Sequence, residues 1–195
     1  MESFAEGERV KRQSATEGTL IHNTIEKILL GEKPEVPASI EPSVKAFLEF
    51  VLERNIHVDP AYVEHRLVNY EHRYAGTLDA VAMIGGRVGI LDLKTSQEIY
   101  RDYNLQTSAY MAGMKDVVKG LETRWILRID QSRICVKCGA ILRSKGSKDR
   151  IKTTWGNPFM QACTHEWGPL EGRIELQEFL AQLRDRLALG LCRHC

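Results

Sequence analysis

An apolar run that ends in charge constrains this chain more than any other feature. Residues 87–93 include Val88, Ile90 and Leu91, follow a Gly85-Gly86 pair, and run straight into Asp92-Leu93-Lys94. Gly-Gly between two apolar runs marks a tight hairpin, because both central residues of its favoured turn need positive φ. The preceding run, residues 74–84, is then the neighbouring strand, which brings Asp79 beside Asp92 and Lys94. Asp92 and Lys94 are two apart and so face one side of the sheet. A lone D-x-K triplet is usually just a salt bridge at a strand end. Ionised groups on the continuation of a core strand, however, are costly unless they are paired or used, and that favours a working site.

Two carboxylates held a few ångströms apart repel unless a cation lies between them, and an oxygen-rich site of this kind suits Mg2+ or Mn2+. A hard divalent ion polarises a phosphodiester and activates a bound water, while an adjacent ammonium orients that water and opposes charge developing on phosphorus. The chemistry expected of Asp79, Asp92 and Lys94 is phosphodiester hydrolysis.

The flanking patterns set the fold class. Leu20, Ile21, Thr24, Ile25, Ile28 and Leu29 recur at helical spacing, with Ser14 or Thr16 as a cap and Gly31 as the stop. Val44, Phe47, Leu48, Val51 and Leu52 give a second helix. Residues 62–68, 74–84 and 87–93 read as a three-stranded meander, residues 104–118 as a helix and residues 123–129 as a strand whose buried part is Trp125-Ile126-Leu127. A last helix is expected over residues 174–189, with residues 130–169 as a basic, cysteine-bearing insertion. The whole is an α/β protein: a central mixed sheet flanked by helices, in a single domain spanning residues 1–195.

Length and composition agree. The chain has 195 residues, 43% of them hydrophobic, which is enough to bury one core and too many for a disordered chain. No apolar run approaches the roughly 20 residues that span a bilayer, and the polar N-terminal stretch lacks the features of a signal or transit peptide, so intracellular residence is expected. The net charge of +1 hides an asymmetry. Residues 124–155 carry nine bases against two acids, a local +7 beside a body of -6, the pattern of a face that meets a polyanion.

The motifs in order closely resemble the PD-(D/E)xK nucleases, in particular the RecB-type exonuclease branch. Gly18-Thr19-Leu20-Ile21-His22 is similar to the family's G-x-x-x-H, Gly76-Thr77-Leu78-Asp79 to G-x-x-D, Asp92-Leu93-Lys94 to D-x-K, and Gln106-Thr107-Ser108-Ala109-Tyr110 to Q-x-x-x-Y. Leu78 stands where the superfamily name has Pro, as is common in this branch. The resemblance implies a restriction-endonuclease-like fold that cleaves DNA at the sheet edge. It also implies His22, Asp79 and Asp92 as Mg2+ or Mn2+ ligands, Lys94 as the residue that positions water, and Glu64 as an accessory acid. Gln106 and Tyr110 would contact the DNA backbone and support the lysine. Read without the family, His22 is a core histidine, Glu64 balances Arg66 or Arg73, and Gln106 with Tyr110 is a hydrogen-bonded pair on one helix face.

The five cysteines are Cys135, Cys138, Cys163, Cys192 and Cys195, an odd number that argues against a disulfide framework. Cys135-Val136-Lys137-Cys138-Gly139 is a zinc-knuckle turn, and Cys163 and His165 complete a closed Cys3His set for one structural Zn2+. The alternative joins Cys192 and Cys195 to Cys135 and Cys138 in a [4Fe-4S] cluster, as the tail resembles that of the family's iron-sulfur members. Local zinc explains how a basic, core-poor insertion stays folded.

The expected function is thus a divalent-metal-dependent DNA exonuclease acting on single strands or duplex ends in recombination, repair or phage replication, in company with recombination or replication proteins. A structure-specific endonuclease or junction resolvase needs the same site with a different DNA groove. A nucleic-acid-binding module with an idle site is the third reading, and the presence of both acids and Lys94 argues against it.

Overall fold

The computed structural model describes residues 2–145, 148–152, 163 and 166–180. Helices α1 (Glu2–Leu29) and α2 (Glu41–Glu53) are followed by strand β1 (His57–Val58), a 3-10 turn at Pro60–Tyr62, and strands β2 (His65–Asn69), β3 (Tyr74–Leu78), β4 (Ala80–Ile84) and β5 (Arg87–Lys94). Helix α3 (Arg101–Met114) leads to β6 (Leu121–Ile134), β7 (Ile141–Lys145), β8 (Lys148–Lys152) and β9 (Glu171–Leu180). The architecture is α/β. A mixed sheet runs β1-β4-β5-β6-β7-β8 with β9 also on β6, and β2-β3 forms a separate ribbon. β5 and β6 are parallel, with α3 as their crossover, and the other pairings are antiparallel.

Alternation along β5 divides its side chains between two layers. Leu91 and Leu93 pack with Ile21 and Ile25 of α1 and with Val44 and Phe47 of α2. Ile90 packs with Tyr110, Met111 and Met114 of α3. Burying each of these large apolar side chains contributes about 1.5–3 kcal/mol. Asp92 and Lys94 share the face of Ile90, so the charged end of the strand opens beneath the N-terminal half of α3. At its other end β5 turns through Gly85 and Gly86, with φ of 59° and 79°, and Ile84 pairs with Arg87. Both glycines hold the left-handed conformation that a two-residue hairpin demands.

Several elements differ from the sequence pattern. Residues 74–84 do not make one strand: the chain breaks at Asp79, so that β3 pairs with β2 while β4 pairs with β5. The break turns an acid inward, which a regular strand passing between two apolar layers would not favour. Residues 174–180 are strand, not helix, since Ile174 and Leu176, two apart, pack on the core while β9 pairs with β6 from Ser132↔Glu171 to Thr123↔Leu180. Satisfying ten residues of open strand edge outweighs the helix propensity of Glu175, Leu176, Gln177 and Glu178 here; residues 181–189 of the expected helix lie outside the described part. Helix α1 begins at Glu2, so Ser14 and Thr16 lie within it and do not cap it. Helix α3 spans Arg101–Met114 and stops early, where the amides of Val117 and Val118 turn back to the Met114 carbonyl. β6 runs past residue 129 to Ile134, so the cysteine-bearing region extends the sheet.

Among the described residues no helix is long and apolar enough to cross a membrane.

Candidate metal centre

Leu93 brings two of the site's side chains together through its main chain. Its amide donates to Oδ2 of Asp79 at 2.5 Å, and its carbonyl accepts from Nε2 of His22 at 2.9 Å. His22 lies next to Ile21 on α1, so burying that apolar face sets the ring against the end of β5. With Nε2 donating, Nδ1 carries the lone pair, the arrangement that orients a metal-binding imidazole. Burial pushes the His22 pKa down and Lys94 adds to the effect, against the Leu93 bond and the carboxylates of Asp92 and Glu64, which favour the charged form.

Glu64 follows the 3-10 turn in a left-handed conformation with φ of 50°, and its amide donates to the Asp79 carbonyl at 2.9 Å. Ligand atoms of His22, Glu64 and Asp79 all lie within 4.8 Å of one another. Glu64, an accessory acid by sequence, therefore stands with His22 and Asp79 in a group of donors that could hold an ion. Asp92 falls outside that trio and instead holds Lys94, with Oδ2 to Nζ at 2.7 Å. The Tyr103 ring, which sequence reasoning missed, lies 4.9 Å from the Lys94 ammonium, a cation-π contact from the first turn of α3. Its only sequence signal is a position nine residues past Lys94, at the start of the next helix.

The electrostatics are those of acids kept short of a cation. Burial raises both Asp79 and Asp92 to about 6, although the Leu93 amide and Lys94 stabilise the Asp79 carboxylate and Lys94 the Asp92 carboxylate. Burial and the nearby Asp79 also raise Glu64. A divalent ion would relieve all three groups, and the donor set of carboxylate oxygens and one imidazole fits Mg2+ or, still better, Mn2+.

Gln106 and Tyr110 are joined to each other, Nε2 donating to the tyrosine hydroxyl at 2.7 Å. Gly76 makes room for that ring: a Cβ there would lie 2.8 Å from Tyr110 Cε1. Two of the motifs thus interlock, the glycine of one accommodating the tyrosine of the other.

The second cluster lies where β6 ends. The Cys135 amide donates to the Ala140 carbonyl at 2.8 Å, the Gly139 amide to the Cys135 carbonyl at 3.1 Å, and the Cys138 amide to the Cys135 sulfur at 3.4 Å. Cys138 and Cys163 sulfurs are 3.6 Å apart, and the three sulfurs form a group able to hold a metal ion. Burial pushes the Cys135 thiol up, but the amides of Cys138 and Lys137 and the neighbouring thiols of Cys138 and Cys163 bring it down to about 6. A readily formed thiolate among three soft donors fits Zn2+. His165, Cys192 and Cys195 lie outside the described residues.

The basic segment is less available than its composition suggests. Arg124 is buried, donating to Thr107 and Asn104 of α3 at 3.1 and 2.6 Å. Arg128 and Arg143 converge on Asp130 at 2.9 and 2.5 Å. These three bases hold the fold together, so the +7 overstates any polyanion-facing charge.

Compared with known proteins, the chain matches no family model and no curated protein.

Proposed function

We propose that this chain is a divalent-metal-dependent deoxyribonuclease of the PD-(D/E)xK type with a restriction-endonuclease-like fold, and that it degrades DNA from ends. The observation that carries the reading is the convergence of His22, Glu64 and Asp79 beside the ion pair of the buried Asp92 with Lys94. An ordinary structural salt bridge has no need of three further ligand groups within reach, and buried acids with raised pKa are a mark of working sites.

His22, Glu64 and Asp79, with Asp92 adjoining, would hold Mg2+ or Mn2+, which when bound supplies Lewis acidity toward a phosphate oxygen and a more acidic water. Asp92 holds Lys94 by an ion pair and Tyr103 covers the ammonium, so Nζ is fixed where it can orient a water and face charge developing on phosphorus. Gln106 lies one turn from Tyr110 on α3 and offers an amide to a phosphate oxygen once the Tyr110 bond is exchanged. Cys135, Cys138 and Cys163, with His165, would hold a structural Zn2+.

End-labelled linear DNA incubated with Mg2+, with Mn2+ and with EDTA tests the reading. Labelled mononucleotides or short products with either metal and none with EDTA are expected, and closed circular single strands should survive. Cleavage of circles would move the assignment to an endonuclease. Intact linear DNA under every metal condition would remove the nuclease assignment.

A further inference from the structure

The segment that leaves the catalytic strand is held by side chains from the cysteine-bearing part of the sheet. The Thr95 carbonyl accepts from Nη2 of Arg143 at 3.3 Å, and the Ser96 and Gln97 carbonyls accept from Nη1 of Arg128 at 3.5 and 3.2 Å. The Gln97 side chain accepts from Arg150 of β8. One oxygen orients both central arginines: Oδ2 of the buried Asp130 accepts from Arg128 at 2.9 Å and from Arg143 at 2.5 Å. Glu175 of β9 takes the remaining face of Arg128 through Nε at 2.9 Å.

The placement of these residues ties two sites together. Asp130 lies on β6 five residues before Cys135, and Arg143 lies on β7 three residues after Ala140. β7 meets β6 through only Arg133↔Leu142 and Ile134↔Ile141, so their register depends on the Cys135-to-Ala140 turn that carries two of the three cysteines. On the other side, the clamped residues separate Lys94 from Tyr103, the two partners of the cation-π contact. Their position decides how the ammonium sits between the Asp92 carboxylate and the Tyr103 ring.

We propose that Asp130, Arg128 and Arg143 form a positioning bridge through which metal occupancy of the three-cysteine centre sets the place of Lys94. Cys135, Cys138 and Cys163, held on one zinc ion, would fix the turn. Without it, the turn would lose that tie, the short β6–β7 pairing would fray, Arg143 would leave Thr95, and the segment between Lys94 and Tyr103 would loosen. The functional half of this inference rests on the nuclease reading; the mechanical half does not.

Hydrogen exchange of the amides of residues 94–100 tests the bridge directly, on zinc-loaded protein, on the same protein stripped by a chelator, and on zinc-loaded Arg143→Ala. Exchange in that segment should rise by about tenfold or more in both altered forms, while Arg143→Ala keeps its zinc and Arg143→Lys recovers part of the protection. In Mn2+-supported cleavage, Arg143→Ala should lose about tenfold or more in kcat with KM for DNA within about twofold, since misplacing a reacting group costs rate and leaves binding unchanged. Unchanged exchange over residues 94–100 in Arg143→Ala would refute the bridge even if zinc removal unfolded the protein. A raised KM with kcat preserved would refute positioning and leave only DNA contact. Raised exchange in a protein that cleaves no DNA would uphold the bridge and overturn the nuclease reading alone.

Discussion

Glu64 and Asp79 are joined through the main chain before their carboxylates meet: the amide of Glu64 donates to the carbonyl of Asp79 at 2.9 Å. That bond ties the residue after the 3-10 turn to the break between β3 and β4, so the two acids approach whether or not a cation is present. Glu64→Gln keeps the backbone and removes one carboxylate from the His22–Glu64–Asp79 group. Its Mn2+ affinity, measured by calorimetry, should fall by about tenfold or more, with the melting temperature of the metal-free protein unchanged or higher. Equal affinity in wild type and variant would return Glu64 to a surface acid.

Lys94 forms an ion pair with the buried Asp92 carboxylate, Nζ to Oδ2 at 2.7 Å, and removing the lysine leaves that carboxylate uncompensated. Lys94→Met should abolish turnover while retaining metal binding. It should also destabilise the metal-free protein by about 3 kcal/mol at neutral pH, and Lys94→Met with Asp92→Asn should be less destabilised than the single variant. Denaturant unfolding of the three proteins checks this, and additive losses would show that the pair is not coupled.

Asp79 and Asp92 titrate near 6 in the folded metal-free protein, against 3.8 when exposed. Between those values the folded state binds more protons than the unfolded state, so the stability these groups contribute is fully present below about pH 4 and lost as pH rises through about 6. Each shift corresponds to about 2–3 kcal/mol. Relative to the Asp79→Asn/Asp92→Asn double variant, the EDTA-treated wild type should lose stability across that window, and its Mn2+ affinity should climb over the same range as protons are displaced. A constant difference between the two proteins from pH 4 to pH 7 would contradict raised carboxylates.

Gly76→Ala places a methyl group against the Tyr110 ring. Overpacking of this kind costs about 1–3 kcal/mol, and Tyr110→Ala should remove most of that cost, so the double variant should be more stable than the sum of the two changes implies. Cleavage by Gly76→Ala should fall as well, because the displaced ring carries the Gln106 bond with it.

Purified protein should contain about one zinc per chain and no iron, and Cys138→Ser should release it. Metal analysis of Cys138→Ser beside the Cys192→Ser/Cys195→Ser variant separates the ligand sets. Iron, or zinc lost with the C-terminal pair, would reassign the ligands.

What the sequence disclosed was whatever repeats locally. The Gly-Gly hairpin, the apolar faces of α1 and α2 and the buried Trp125-Ile126-Leu127 stretch each follow from spacing within a few residues. What it concealed depends on partners far along the chain. Residues 174–180 become strand because β6 leaves an edge to be filled, and residues 74–84 divide because Asp79 is drawn to the Leu93 amide. At the site, motif order identified His22, Asp79, Asp92 and Lys94 as candidates. The division of labour among the acids was hidden, since Glu64 joins His22 and Asp79 only through the 3-10 turn and a left-handed backbone. Charge counting failed for Arg124 because composition does not distinguish a surface base from one buried against α3.

The Gly85-Gly86 turn gives the molecule a handle. It caps β5 at the end opposite Lys94, and seven residue steps of extended strand put about 23 Å between Arg87 and the ammonium-bearing residue. Cβ atoms built on either glycine meet nothing within 4 Å. A fluorophore, a biotin tether or an inserted epitope at this turn would project into open space, away from both clusters. The protein can therefore be immobilised or followed one molecule at a time by a point of attachment that its own hairpin provides.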